Sequence, residues 1–371
     1  MATIQIDRLL ETCIKRGASD LHITVGRPPS LRLHGRLRPL ETKTLEPEDT
    51  AALMKAITPE RCQQELSEVG STDFGFEYGA AGRFRTSVFH QKGNIAMVLR
   101  LIPSRIFTFD EIGLPRIVRS LCRRPRGMFL VTGPTGSGKT TTLATMLDYI
   151  NKNFDRHIIT IEDPIEYIHP HKKCLVNQRE VGADTSSFKK ALKYILRQDP
   201  DVVLLGELRD LETIEAALTI AETGHLCFAT LHTNGCVQTI NRIIDVFPTN
   251  QQTQVRTQLS FVLEGVLSQT LIPRMSGKGR ILSLEVMVPN MAIRALIRDD
   301  KVHQIYSQMQ MGQEKYGMQT MNQSLFMLYH KKLITMEDAL SRSSDIDELK
   351  QMIANPAAVL RRQVSSSNPR V

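Results

Sequence analysis

The chain has 371 residues, of which 41% are hydrophobic and 23% are charged, proportions that are ordinary for a folded globular protein. This length allows at least two packed domains. No apolar run approaches the roughly 18–20 residues of a membrane-spanning helix, and Asp7 and Glu11 interrupt the amino-terminal stretch where a signal peptide would keep an apolar core. We therefore expect a cytoplasmic protein.

The net charge of +8 would suit binding to nucleic acid or to an anionic membrane surface. However, the basic residues are spread along the chain, Trp is absent and only 5% of residues are aromatic. Channels for single-stranded nucleic acid combine basic grooves with aromatic side chains on which bases stack. We therefore expect no nucleic-acid partner.

The six cysteines are scattered without a Cys-x-x-Cys pair, which argues against a disulfide framework and against a four-cysteine zinc site. His169, His171 and Cys174 are closely spaced, but the loop offers no fourth ligand at a suitable spacing. We expect free thiols, and structural roles for these two histidines.

The first hundred residues predict a small α+β domain. Hydrophobic spacing predicts helices over residues 4–16, 46–57 and 59–68, a hairpin over 20–34, and strands over 72–78, 83–91 and 95–102. The irregular, proline-containing stretch 103–115 then indicates a linker before a helix over 116–122.

Three arginines of this amino-terminal region are candidates for catalysis. Side chains alternate along a strand, so Arg83 and Arg85 share one face while Phe84 and Val88 take the other; Arg100 follows on the next strand. An arginine beside a nucleotide-binding domain can act as a finger that reaches a neighbour's phosphates. The alternative is that these are solvated strand residues, and the sequence leaves both interpretations open.

A phosphate-binding loop dominates the middle of the chain. Apolar residues 129–131 predict a buried strand, a complete G-x-x-x-x-G-K-T motif follows at 133–140, and a helix begins there. In this arrangement backbone N–H groups face the phosphates, Lys139 reaches the β and γ oxygens, and the Thr140 hydroxyl can bind Mg²⁺. The predicted nucleotide-binding residues are Gly133, Pro134, Thr135, Gly136, Ser137, Gly138, Lys139, Thr140 and Thr141.

Two further predicted strands end in acids. The strand over 157–161 is followed by Glu162, and the strand over 201–205 is followed by Gly206 and Glu207. Carboxylates at this place beside a phosphate loop can polarise water or hold the metal. The usual second nucleotide motif has its acid directly after the apolar run, where Gly206 stands here. Which acid holds Mg²⁺ and which activates water therefore stays open.

A fourth predicted strand, over 225–232, has His225 and His232 near its ends. A lone histidine is more often structural than catalytic. If the acids lie alongside, His232 could sense the γ-phosphate through a hydrogen bond. The remainder predicts a helix over 250–271, a strand over 280–288, helices from 291 onward, and a tail over 357–371 with the composition of a disordered end.

The order of these motifs resembles the secretion-type AAA-like ATPases, and most closely the PilT family of type IV pilus retraction ATPases. Residues 161–167 resemble that family's aspartate box, 201–210 its second nucleotide motif and 223–233 its histidine box. Residues 292–298, Ala-Ile-Arg-Ala-Leu-Ile-Arg, are similar to its carboxy-terminal Ala-Ile-Arg helix, with Ala295 where Asn is commoner.

The resemblance implies an α/β protein: a PAS-like α+β domain at 1–101, a linker at 102–113, a RecA-like P-loop ATPase core with carboxy-terminal helices at 114–355, and a tail at 356–371. It implies ATP and Mg²⁺ as cofactors, Glu162 as the base for water, Glu207 at the metal, and arginines around Arg83 and Arg100 completing the site.

The same resemblance implies a homohexamer at the cytoplasmic face of the inner membrane that acts on the pilus platform protein. A second pilus ATPase is a further expected partner. Assembly and type II secretion relatives usually carry an additional amino-terminal domain and a paired-cysteine zinc insertion, so the absence of both favours retraction. The alternatives are an accessory pilus motor and a RecA-like nucleic-acid translocase.

Overall fold

A computed structural model describes residues 5–33, 35–79, 82–102, 105–357 and 359. It divides into two compact units, the first formed by Met1–Ile106 with Pro164–Ile168 and the second by Phe107–Asp163 with His169–Val371. None of the helices in the described ranges combines the length and the apolar character needed to cross a bilayer. The predicted tail falls outside the described residues from position 360 onward.

The first unit, as far as it is described, consists of helices packed on a six-stranded antiparallel sheet in the order β3-β2-β1-β6-β5-β4. The strands are β1 (Asp20–Ile23), β2 (Ser30–Leu33), β3 (Arg36–Pro39), β4 (Ser71–Tyr78), β5 (Gly82–Gln91) and β6 (Asn94–Ile102). The helices are α1 (Ile6–Lys15), α2 (Pro47–Ile57) and α3 (Glu60–Val69). The predicted α+β character is confirmed.

The alternation that the sequence predicts along β5 is present. Phe84 and Val88 are fully buried in the core of the first unit, whereas Arg83 and Arg85 lie on the other, partly exposed face. Strand β3 was not predicted, because all four of its residues are exposed and it carries no buried alternation to detect.

The second unit contains a seven-stranded sheet in the order β13-β12-β7-β11-β10-β8-β9. Its strands are β7 (Gly127–Thr132), β8 (His157–Glu162), β9 (Leu175–Glu180), β10 (Val202–Leu205), β11 (Leu226–Leu231), β12 (Leu263–Pro273) and β13 (Arg280–Met287). Only β13 runs antiparallel to its neighbour; the other adjacent pairs are parallel.

The helices of the second unit cover the faces of this sheet and continue beyond β13. Within the described ranges they are α4 (Phe109–Ile112), α5 (Arg116–Cys122), α6 (Lys139–Asn153), α7 (Phe188–Ile195), α8 (Leu211–Glu222), α9 (Cys236–Asp245), α10 (Thr249–Val262), α11 (Met291–Arg298), α12 (Ile305–Met311), α13 (Gln313–Tyr316), α14 (Met321–His330), α15 (Met336–Arg342) and α16 (Ile346–Ala354). Helix α4 lies inside the stretch that the sequence indicates as irregular.

Strand β7 lies in the interior of this sheet, and every one of its residues is buried. Met128 and Leu130 pack into the core on one face, whereas Phe129 and Val131 pack into the core on the other. A parallel strand that is covered on both faces reads as a continuous apolar run. This explains why the sequence signal at 129–131 is an uninterrupted hydrophobic stretch.

The predicted helix over residues 250–271 is wrong beyond Val262. Helix α10 ends there and the chain continues directly as β12, which pairs with β7 on one side and β13 on the other. Leu263, Val266 and Leu267 have helical spacing, but they are apolar because both faces of this strand are buried. Gly265 marks an irregularity in the pairing, where a Cβ atom would lie 2.7 Å from a ring carbon of Phe129.

The six cysteines are all free, as the sequence predicts, and all six are buried. Cys174 donates a hydrogen bond to the backbone oxygen of Phe154, and Nδ1 of His171 accepts one from the Val176 N–H. Burial lowers the pKa of His169 to about 4, so its ring is neutral at physiological pH. These contacts favour structural roles for His171 and Cys174, and burial favours the same role for His169.

Candidate active site

The phosphate loop connects the end of β7 to the start of α6, as the motif predicts. Gly138 is the residue before the helix and has a φ of 90°, a left-handed conformation that favours glycine. Ser137 is buried, while Pro134, Thr135 and Gly136 are exposed. Thr140 and Thr141 lie partly exposed in the first turn of α6. The loop thus ends at a helix amino terminus, where backbone N–H groups and the helix dipole favour an anion.

Lys139 folds back over this loop. Its Nζ donates hydrogen bonds to the backbone oxygens of Gly133 at 2.9 Å and Pro134 at 3.3 Å. The ammonium is therefore held at the loop through backbone atoms, where it can meet the terminal phosphates of a nucleotide.

Glu162 is the last residue of β8 and is 7% exposed. Its Oε1 accepts a hydrogen bond from the Thr160 hydroxyl at 2.7 Å and another from Nε2 of Gln178 at 3.2 Å. The side chain is fixed within the second unit by these two donors. A fixed carboxylate at this place is suited to orient and deprotonate a water molecule.

Glu207 follows β10 and is more exposed than Glu162. Its Oε1 lies 3.2 Å from Nε2 of His232, and its Oε2 accepts a hydrogen bond from Arg209 at 3.0 Å. Burial pushes the pKa of the Glu207 carboxyl upward, but the hydrogen bond and charge of Arg209, with His232 beside them, lower it overall. Glu207 is therefore ionised at neutral pH.

The sheet register brings these residues to one edge. β10 pairs with β8 up to Leu205 and Ile161, which places Gly206 beside Glu162. β11 pairs with β7 up to Leu231 and Thr132, which places His232 beside the start of the phosphate loop. Because the strands are parallel, their carboxyl ends meet at the same edge. The structure thus gathers Lys139, both acids and His232 there.

His225 is not part of this edge. It precedes β11, and the β11–β7 register places it at the amino ends of the strands. It lies seven positions before His232, a distance of roughly 23 Å along a strand. Its Nδ1 lies 3.1 Å from both the Thr223 hydroxyl and the Ile220 backbone oxygen. These contacts favour a structural role for His225.

The three candidate arginines lie in the first unit, and each has an acidic partner there. Arg83 pairs with Glu77 at 2.8 Å and also donates to the Ile165 backbone oxygen at 2.9 Å. Arg85 lies 3.8 Å from Glu166. Arg100 pairs with Asp20 at 3.0 Å, while its side chain stays 64% exposed.

The oxygen atoms that side chains offer at this edge suit Mg²⁺ better than zinc. The Thr140 hydroxyl and the ionised Glu207 carboxylate are hard ligands of the kind this ion prefers. No group of three or more His, Cys, Asp or Glu residues in the described ranges could hold a metal by itself. Mg²⁺ is usually bound through one or two protein oxygens together with substrate phosphates. These two side chains are therefore suited to an ion that binds together with a nucleotide.

Two side chains that complete the surroundings of the acids were not assigned roles from the sequence. Arg209 stands two residues after Glu207, so its position in the motif was a usable signal. Gln178 lies on β9, an edge strand that was not predicted because its exposed and half-buried residues resemble a loop. Its contact with Glu162 depends on the pairing of β9 with β8 and has no local sequence signal.

Comparison with known proteins decides the family. The model for the family described as type II/IV secretion system protein matches residues 2–314. The type IV pilus retraction ATPase PilT of Pseudomonas aeruginosa is 48% identical over 340 residues, which covers 92% of this chain and 98% of that protein. The chain belongs to the PilT family of type II/IV secretion system proteins.

Other PilT-family relatives agree with this assignment. The type IV pilus ATPase PilU of P. aeruginosa is 43% identical over 350 residues, covering 94% of this chain and 91% of that protein. The chain in a crystal structure of the pilus retraction motor PilT with bound ADP is 52% identical, with a TM-score of 0.88, and the match covers 94% of this chain and all of that one. The α/β fold of the two chains is therefore the same.

Proposed function

We propose that this protein is a motor ATPase that couples ATP hydrolysis to retraction of type IV pili. The observation that carries the proposal is the meeting of Lys139, Glu162 and Glu207 at the carboxyl ends of the parallel strands. A cation for the terminal phosphates and two acids in different surroundings are the parts that ATP hydrolysis requires. The relatives whose names refer to pilus retraction indicate the mechanical work to which we couple hydrolysis.

Each residue of the edge has a proposed role. Residues 133–141 hold the phosphates, Thr140 and Glu207 bind Mg²⁺, and Glu162 takes the proton from the attacking water. Mg²⁺, when bound with ATP, neutralises charge that develops on the transferred phosphate. His232, 3.2 Å from Glu207, senses the γ-phosphate. Arg83, Arg85 and Arg100 are proposed as residues that complete the site of a neighbouring subunit.

The proposed assembly is a homohexamer at the cytoplasmic face of the inner membrane, acting on the pilus platform protein. The family assignment supports this proposal, and the PilU relative supports a second pilus ATPase as a partner. We also propose that the first unit is PAS-like. Its antiparallel sheet packed with helices supports this proposal.

The Lys139→Ala variant tests the site. Removing the ammonium takes away a charge aimed at the β and γ oxygens, so ATP turnover should fall at least a hundredfold, on the order expected for loss of phosphate-clamp charge. Turnover is measured on the purified protein by phosphate release. Near-normal activity would contradict the assignment of this loop.

An accessory pilus motor is the second candidate function, because the PilU relative is only slightly less similar than PilT. A deletion strain that retains its other pilus ATPases separates the two. Loss of the main retraction motor leaves more surface pili and abolishes twitching, whereas loss of an accessory motor leaves much of the movement. The nucleic-acid translocase is tested by adding DNA to the ATPase assay, where we expect no stimulation.

A further inference from the structure

Strand β12 lies against both ends of the phosphate loop. A Cβ atom on Gly133 would lie 2.2 Å from the backbone oxygen of Gln269, and Gly133 has a φ of 141°, which favours glycine. A Cβ atom on Gly138 would lie 3.3 Å from Nε2 of the same Gln269. The first and last glycines of the motif therefore both pack against one residue of β12.

The side chain of Gln269 binds the loop directly. It is 1% exposed, and its Nε2 donates a hydrogen bond of 2.7 Å to the backbone oxygen of Ser137. The reversed amide would bring two oxygens together, so this contact fixes the orientation of the side chain. Oε1 of Gln269 and the hydroxyl of Ser137 are buried without a hydrogen-bond partner in the described part of the chain.

We propose that Gln269 is a positioning residue that fixes the peptide between Ser137 and Gly138 for phosphate binding. This inference rests on the proposed nucleotide site. A trans peptide is planar, and its C=O and N–H point in opposite directions. A donor that holds the Ser137 oxygen therefore also sets the direction of the Gly138 N–H, one of the groups with which such loops cradle phosphate.

The glycine at position 138 makes a fixed hydrogen bond to the Ser137 oxygen necessary. Gly138 adopts left-handed and right-handed conformations with similar ease, so the preceding peptide can turn over at little cost. A turned peptide would present the Ser137 oxygen, instead of an N–H, to the phosphates. The Gln269 hydrogen bond opposes that state before any nucleotide arrives, which increases affinity by preorganisation.

The Gln269→Met variant keeps the length of the side chain and removes the donor. We expect its dissociation constant for ADP to rise about 5- to 30-fold, because without the donor the turned peptide becomes populated in the free protein and affinity falls with the fraction of molecules that present the N–H. The measurement is displacement of a fluorescent ADP analogue from the purified full-length protein. Because the unpartnered Oε1 is removed as well, we expect the melting temperature without nucleotide to change by a few degrees at most.

Gln319→Met is the matched control. Nε2 of Gln319 donates a hydrogen bond of 2.8 Å to the backbone oxygen of Leu284 on β13, so this variant loses the same kind of contact in the same unit. Its affinity for ADP should stay within about twofold of the original protein, a difference well below the loss of one hydrogen bond. An equal loss of affinity in both variants would show general destabilisation and overturn the inference.

Gln269→Glu adds a readout that a purely structural role would not produce. An ionised Glu has no donor for the Ser137 oxygen, whereas a protonated Glu has an O–H in nearly the same place. A buried Glu titrates several units above its usual pKa. ADP affinity, relative to the original protein at each pH, should therefore recover as pH falls from about 8 to about 6, and Gln269→Met should show no such recovery.

Lys139→Ala separates failure of this inference from failure of the proposed function. If Lys139→Ala and both Gln269 variants all bind ADP normally, the loop is not the nucleotide site. If only the two Gln269 variants bind normally, the site stands and the positioning role is wrong. Should Gln269→Met fail to fold, the pH dependence of Gln269→Glu decides the question.

Discussion

Glu162 and Glu207 differ in their surroundings, and the difference supports different roles. Glu162 is almost fully buried and receives hydrogen bonds from Thr160 and Gln178. Glu207 is more accessible, and Arg209 and His232 favour its ionised form. A metal ligand should be ionised and reachable by a solvated ion, which fits Glu207 better. A general base needs a fixed direction toward water, which fits Glu162 better.

Two substitutions test these roles. Glu162→Gln preserves the shape and the acceptor oxygen but lacks a basic group, so ATP binding should persist while hydrolysis slows about 10²- to 10⁴-fold. Glu207→Ala should weaken binding of ATP with Mg²⁺ and leave binding without Mg²⁺ nearly unchanged. Nucleotide affinities measured with and without Mg²⁺ decide between them. If the two phenotypes are exchanged, the two roles must be exchanged as well.

The sequence alone was sufficient to predict the positions of functional residues that lie within a local motif. Lys139, Thr140 and Glu162 stand at fixed offsets from a strand end, so spacing alone predicts where they lie. Gln269 stands 130 positions after Lys139 and contacts the loop only because β12 pairs with β7. That pairing has no signature within any short window, so the residue could not be predicted.

The error in predicting the secondary structure of β12 arose because this strand is buried on both faces. A strand with one solvent-exposed face alternates polar and apolar residues. Strand β5 does so, and it was correctly predicted from the sequence. β12 is buried on both faces over most of its length and lacks that alternation. Its apolar residues continue the spacing of α10, so local pattern alone favours a longer helix. Sheet pairing with β7 and β13 overrides that preference.

Helix α11 has one exposed face and one buried face, and only the exposed face is available for a partner. Met291 is 90% exposed and Ala292 is also exposed, whereas Ile293 is fully buried. Arg294 attaches the helix to the end of α10 through the backbone oxygens of Ser260 and Phe261. We propose, from the resemblance of this segment to the PilT family's Ala-Ile-Arg helix, that α11 transmits force, so its exposed residues are the ones to change.

Exposed and buried substitutions in α11 should therefore behave differently. Ala292→Gln should keep most ATPase activity, because it leaves the core unchanged. It should reduce twitching severalfold, because it alters the exposed surface of the helix. Ile293→Ala, the matched buried change, should reduce stability by about 2–5 kcal/mol and lower both activities. ATPase rates, thermal unfolding and twitching zones are measured for each. Equal loss of ATPase and twitching in Ala292→Gln would instead mark the whole helix as structural.

The proposal that each active site contains residues from two subunits can be tested on the arginines of the first unit. The ion pairs of Arg83 and Arg85 involve Glu77 and Glu166 of the same unit. Arg100 pairs with Asp20 but is the more exposed of the pair, at 64% against 6%. Asp20 also accepts a hydrogen bond from the Ser19 hydroxyl and lies 3.6 Å from Arg32, so this buried carboxylate keeps partners if Arg100 turns toward a phosphate. Arg100 is accordingly the first of the three to test.

Mixed hexamers test this sharing directly. An arginine from a neighbouring subunit would stabilise transition-state charge, so Arg100→Ala should bind ATP yet hydrolyse it on the order of 10³-fold more slowly. When Arg100→Ala is mixed with Lys139→Ala, some interfaces join an intact Arg100 to an intact phosphate loop, which neither parent can do. ATPase activity should then reappear in the mixture, with Arg83→Ala and Arg85→Ala tested in the same way. Subunit exchange is confirmed separately by labelling. If exchange occurs and activity stays at the parental level for all three arginines, they act within their own subunit or are solvated strand residues.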